Sequence, residues 1–135
     1  MLAVVPAFAV AALLSSCTPE EVRVARLTNE DRTTASVAEL EYNADLGEKA
    51  QRQADRMCSS GKLEHSVLGN GIPYPWRSFA ENVGYGDSLE QINDKWMNEP
   101  AHRVNIMSKR FTHFGVGACQ ASDGTWFAVQ ELMQL

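Results

Sequence analysis

The sequence predicts an α+β domain. Helical periodicities fill most of the chain up to about Met107, strand-like alternation dominates after it, and no repeating β-α-β pattern signals a parallel sheet. Its 135 residues, 44% hydrophobic and 21% charged, fit one globular domain able to bury roughly 65–70% of its unfolded surface. With 12 Lys+Arg against 17 Asp+Glu the net charge is -5, and no run of four basic residues occurs. That removes the electrostatic footprint of a nucleic-acid binder.

Residues 1–16 carry no charge, and 13 of the 16 are Ala, Val, Leu, Phe or Met. The stretch is apolar enough for an export signal and shorter than the roughly 20 residues of a membrane-spanning helix. It ends Leu14-Ser15-Ser16-Cys17, which resembles the lipobox of bacterial lipoproteins, with Cys17 as the lipidated residue. The chain then divides into a lipoprotein-type signal peptide (1–16), a short tether (17–21) and a domain (22–135), exported either as a cell-envelope lipoprotein anchored to a membrane through its N-terminal lipid or as a secreted protein. A buried N-terminal helix ending in an ordinary cysteine is the competing reading. If Cys17 carries lipid, Cys58 and Cys119 are an even pair available for a disulfide, with two free buried thiols as the alternative.

In the domain, Val22, Ala25 and Leu27 mark a weakly amphipathic helix over 20–33, and residues 35–42 read as extended. Asn43 is placed to cap a second helix in which Leu46, Ala50, Ala54 and Met57 form one apolar face, ended by Gly61. Gly69, Gly71, Pro73 and Pro75 make 66–80 a long loop, where Tyr74 and Trp76 are candidates for touching a ligand. Asp87 and Glu90 have capping-box spacing ahead of a helix with Leu89, Ile92 and Trp96 on its apolar face. Pro100 suits the first turn of a short helix carrying Ala101, Val104 and Met107. Residues 114–119 and 125–132 are strand-like, and Ser122-Asp123-Gly124 between them is a hairpin turn signal.

Five strings then occur in a telling order: Leu63-Glu64-His65-Ser66, Ala80-Glu81-Asn82-Val83-Gly84, Trp96 through Ile106 (WMNEPAHRVNI), Phe111 through Gly117 (FTHFGVG) and Trp126 through Glu131 (WFAVQE). Together they resemble the CAP superfamily of cysteine-rich secretory, antigen 5 and pathogenesis-related 1 proteins, in its bacterial SCP-domain branch, over about residues 22–133. The resemblance implies a three-layer α-β-α sandwich with a small antiparallel sheet. It also implies a cleft lined by His65, Glu81, Glu99 and His102, with capacity for zinc or another divalent cation at the two histidines.

Imidazole and carboxylate donors suit zinc chemically, and either glutamate can instead orient a histidine through its other ring nitrogen. Three functions follow from this set. The first is a binding module for a lipid, cell-envelope or protein ligand. The second is a zinc-dependent hydrolase with Glu81 or Glu99 as its catalytic base. The third is a structural envelope module in which the histidines brace carboxylates without metal. His113 has no carboxylate at a motif-like spacing and reads as structural or surface.

Overall fold

The computed structural model describes residues 17–135, so the signal segment expected at 1–16 lies outside the described residues. The elements in order are α1 (Pro19–Thr34), β1 (Glu41–Tyr42), α2 (Ala44–Ser60), β2 (Ser78–Gly86), α3 (Leu89–Asn98), α4 (Pro100–Met107), β3 (His113–Gln120) and β4 (Trp126–Gln134). The four strands form one sheet in the order β1-β3-β4-β2, antiparallel except for the short parallel pairing of β1 with β3. Helix α2 packs on one face of the sheet and α1, α3 and α4 on the other. This is the expected α-β-α sandwich.

Local signals explain most boundaries. Thr18 caps α1 through a reciprocal box: its hydroxyl accepts from Glu21 N–H at 3.2 Å and the Glu21 carboxylate accepts from Thr18 N–H at 2.8 Å. Three of the five residues assigned to a tether therefore lie in the first turn of α1. Asn43 Oδ1 accepts from Leu46 N–H at 3.0 Å to start α2, and Gly61, at φ 68°, ends it in the left-handed conformation.

The structure differs from expectation in three places. Of the extended stretch 35–42, only Glu41–Tyr42 joins the sheet. The α3 cap is Ser88, whose hydroxyl accepts from Gln91 N–H at 3.1 Å while Gln91 Oε1 accepts from Asp87 N–H at 2.7 Å, one residue later than the Asp87/Glu90 spacing suggests. The loop expected to run to Ala80 ends at Arg77, and Ser78–Gly86 is a nine-residue strand. Gly84 and Gly86 obscure this strand because they look like turn residues. Their role is packing: a Cβ on Gly84 would come within 2.7 Å of Ile92 and 2.9 Å of the Trp96 indole nitrogen.

Strand alternation sorts the core into two layers. Phe114, Val116, Ala128 and Leu132 meet Val24, Ala25, Ile92, Trp96 and Ile106 on the three-helix side. Val83, Phe127 and Val129 meet Ala50, Ala54 and Met57 on the α2 side. On that side β3 presents Gly115 and Gly117, and a Cβ on either would run into the α2 backbone at Leu46–Gly47 or Ala50–Gln51. The missing side chains let the helix settle directly on the strand. A disulfide between Cys58 at the end of α2 and Cys119 on β3 closes this layer, with Cα atoms 6.2 Å apart. On the opposite side the buried Arg32 donates to the carbonyls of Ala38, Ile106 and Ser108 at 2.7, 2.7 and 2.9 Å, pinning α1 to the end of α4.

Gly115→Ala should destabilise the domain by about 1–3 kcal/mol or more, because backbone and not a flexible side chain must yield. Urea unfolding of the purified variant checks this, and a stability equal to wild type would show that α2 does not bear on this strand. Reduction of Cys58–Cys119 should cost about 2–4 kcal/mol by releasing the denatured chain, read in the same assay with and without dithiothreitol.

Candidate functional site

One edge strand of the sheet is β2, and the sequence-predicted residues gather on its two sides. Glu81 projects toward α2, where its Oε1 lies 2.8 Å from His65 Nδ1 and accepts from Ser66 N–H at 2.8 Å, and its Oε2 accepts from the Ser66 hydroxyl. The Glu81 side chain is 0% exposed and that of His65 59%, so a sealed carboxylate orients an outward-facing ring. Asn82, the next residue, faces the other way and holds α4. Its Nδ2 donates to the His102 carbonyl at 3.2 Å and to Gln130 Oε1 at 3.0 Å, and its Oδ1 accepts from Asn105 Nδ2 at 2.9 Å.

The second pair forms within one turn. Glu99 is the last residue before α4 and His102 the third residue in it, and Glu99 Oε2 lies 2.7 Å from His102 Nδ1. Both line a cavity of about 200 Å³ with Leu63, Val83, Tyr85 and Trp96. His65 and Ser66 line a different cavity, under the 64–71 loop. Each histidine is thus oriented by its own carboxylate through Nδ1, leaving Nε2 as the nitrogen available to a ligand.

Expected ligand set and arrangement differ here. Among the described residues no three His, Cys, Asp or Glu side chains come together as a metal site. Both carboxylates are taken up on Nδ1, and Glu81 is closed to solvent. Glu81 and Glu99 therefore act as orienting partners of the rings, and the two imidazoles, which line separate cavities, are each a single donor.

The other candidates fall elsewhere. The Tyr74 hydroxyl accepts from Asn43 Nδ2 at 2.7 Å, tying the loop to the start of α2. Trp76 packs on Phe79 with ring centroids 5.2 Å apart and fills the space beside Gly69. Neither lines the cavities that the histidines line. Cys17 is half-buried against the three-helix core, where burial pushes its thiol pKa up against a hydrogen bond with Tyr42. His113 Nε2 meets Glu41 Oε2 at 3.3 Å, a partner brought by the β1–β3 pairing.

Sequence reasoning missed a buried charge cluster directly behind His65. Glu131 lies opposite Glu81 across the β2–β4 ladder and is 0% exposed. Lys49, from α2, reaches Ser66 Oγ at 2.6 Å, the Val67 carbonyl at 2.9 Å and Glu131 Oε1 at 3.8 Å. Burial and the adjoining Glu81 carboxyl hold the Glu131 pKa far above the usual carboxylate range. Burial also acts to raise the Glu81 pKa, but hydrogen bonds from Glu131, Ser66 and His65 outweigh it and the pKa is lowered. Burial and the neighbouring carboxyl push the two ionisations apart, Glu131 upward and Glu81 downward, and Glu131 Oε2 has no hydrogen-bond partner among the described residues. The available signal was the polar Gln130-Glu131 step inside an apolar strand, FAVQEL.

A sequence model described as the cysteine-rich secretory protein family (CAP) matches residues 25–132. The uncharacterized protein YkwD of Bacillus subtilis (strain 168) is 29% identical over 112 residues, covering 76% of this chain and 44% of that protein. The chain thus spans less than half the length of this relative. Among solved structures, an outer surface protein of Borrelia burgdorferi superposes with a TM-score of 0.75 at 17% identity, covering 87% of this chain and 94% of that one. The crystal structure of NaASP2 with Zn2+ superposes with a TM-score of 0.67 at 11% identity, covering 85% and 80%. Both likenesses speak to the fold.

The raised pKa of Glu131 has a consequence for stability. Between the ordinary carboxylate pKa and the raised one, the folded state holds a proton that the unfolded state has released, so stability falls as pH rises through that window. Glu131→Gln keeps the shape and removes the proton. Relative to wild type it should gain stability from about pH 5 upward, by at most about 1.4 kcal/mol per pH unit. Denaturant unfolding of both proteins across this range measures it, and parallel pH profiles would mean that Glu131 ionises normally.

Proposed function

Since this chain belongs to the cysteine-rich secretory protein (CAP) family, we propose that it is an extracytoplasmic binding module, held at a membrane by lipid on Cys17. Its working surface is the β2 edge strand, where the His65–Glu81 pair opens on one cavity and the Glu99–His102 pair on another. The observation that carries this reading is the pairing of both imidazoles with carboxylates through Nδ1, at 2.8 and 2.7 Å, which presents Nε2 of each ring to whatever enters. The cleft takes a lipid, cell-envelope or protein ligand, with or without a divalent cation.

Zinc is the cation that this donor chemistry suits, and His65 and His102 are the residues to hold it. A bound ion would supply a positive, Lewis-acidic contact for a ligand's oxygen. The glutamates set tautomer and ring direction. Binding fits better than hydrolysis. Glu81 is sealed and accepts three hydrogen bonds, the posture of an orienting group and not of a base that meets water. The Ser66 hydroxyl is engaged by Glu81 and Lys49, and none of its hydrogen bonds reaches an imidazole, so it lacks the relay a serine nucleophile needs.

Export is supported by the apolar segment ending at Cys17 and by the outer-surface description of the Borrelia relative in fold. No helix among the described residues is long and apolar enough to cross a membrane, and Cys17 stands one residue before the Thr18 cap of α1. A lipid there would hold the domain close to the bilayer, and intact mass spectrometry of the protein expressed in a bacterial host should find acyl chains on Cys17.

Zinc titration calorimetry on metal-free residues 18–135 tests the cleft. Wild type should bind zinc, the His65→Ala/His102→Ala variant should lose that binding, and Glu81→Gln or Glu99→Gln should each weaken it about 10–100-fold at the histidine it orients. Undiminished binding by the double variant would remove the metal from this reading and leave the cleft to an organic ligand.

A further inference from the structure

Helix α2 carries Lys49, Arg52, Gln53 and Arg56 at the spacing i, i+3, i+4, i+7, which places them on one stripe. That stripe floors a cavity of about 360 Å³ roofed by the 64–71 loop, within the roughly 300–1,000 Å³ range of small-molecule sites. In a chain of net charge -5, its lining holds two guanidiniums, Arg52 and Arg56, with the buried Lys49 at the floor, against one carboxylate, Glu64. We propose that this cavity, which His65 also lines, is an anion site for a phosphate-type oxyanion held by the arginines, separate from the His102 cavity.

The arrangement is built, not incidental. Gln53 is buried and its Nε2 donates to the Glu64 carbonyl at 2.6 Å, fixing the loop over the stripe. Gln53 Oε1 accepts from Arg56 Nε at 2.9 Å, which aims the guanidinium while leaving its terminal nitrogens for a ligand. Arg52 has no hydrogen bond or ion pair among the described residues, and its Nη2 lies beside Gly71, where a Cβ would come within 3.3 Å. Lys49 is fixed at the floor by Ser66 and the Val67 carbonyl. A planar guanidinium with free N–H groups matches the geometry of a phosphate oxygen pair, and two of them suit a dianion better than a single carboxylate. Val67, 72% exposed at the rim, offers an apolar contact to a phosphate carried on an acyl chain.

The test uses inorganic phosphate followed by NMR, and co-sedimentation with vesicles of phosphatidylcholine alone or mixed with phosphatidylglycerol. It compares wild type with Arg52→Gln/Arg56→Gln and with Arg26→Gln/Arg110→Gln, which removes the same charge elsewhere. Expected are phosphate shifts centred on residues 49–56 and 64–71, an affinity at least tenfold lower in the Arg52/Arg56 variant, and no more than a twofold change in the Arg26/Arg110 variant. Saturable phosphate binding without vesicle binding assigns a soluble phosphate ligand. Binding to phosphatidylglycerol vesicles that needs Arg52 and Arg56 assigns a lipid headgroup. Equal losses in both variants, unchanged binding in the Arg52/Arg56 variant, or no wild-type binding to either probe overturns the proposal. Zinc titration of the Arg52/Arg56 variant should match wild type, so failure here is distinct from failure of the histidine cleft.

Discussion

The contact on which the rest of the α2 side depends is the seating of α2 on a strand without side chains. Gly115 and Gly117 remove the two groups that would hold the helix away from β3. At this short distance the Cys58–Cys119 bridge forms, and Gln51 reaches the sheet, its amide pairing with the Ala118 backbone at 2.9 and 3.0 Å. Lys49 and Gln53 likewise reach past the helix to hold the 64–67 segment. A helix lifted by one methyl layer would leave the loop bearing His65 without these anchors.

The same closeness puts charge in a dry place. Two carboxylates and an ammonium occupy the interior between α2 and the β2–β4 ladder, where unpaired charges are costly. Burial favours the neutral form of Glu131, and the Lys49 ammonium lies 3.8 Å from its carboxyl. Ser66 stitches the three together through its hydroxyl. His65 therefore rests on a carboxylate that is itself held on several sides, which limits how the ring can turn.

On the far side of the edge strand the logic is local. Glu99 and His102 meet across one helical turn that Pro100 begins, and the Asn82 side chain holds the His102 carbonyl from the sheet. One strand thus supplies successive residues, Glu81 and Asn82, to opposite layers, and each positions one histidine. The two pairs resemble each other in chemistry but differ in exposure: Glu81 is sealed, whereas Glu99 is 54% exposed. Any ligand bridging them meets one rigid and one adaptable contact.

Much of this was legible in the sequence because it is written in short-range chemistry. Asn43, Gly61 and Pro100 set helix ends through their own backbone preferences, Ser122-Asp123-Gly124 sets the hairpin, and the LEHS, ENV and NEPAHR strings carry the family resemblance and the four cleft residues. Strand β2 was missed because glycine has the same letter whether it turns a chain or makes room for Trp96. The role of Glu131, the burial of Arg32 and the structural use of Tyr74 were also out of reach. Each depends on a partner between 31 and 82 residues away, brought there only when α2 and α1 close on opposite faces of the sheet. Sequence determined which groups are present and how each turn begins. Tertiary packing decided which carboxyl has its pKa raised, which nitrogen each histidine presents, and where the basic stripe of α2 finds a roof.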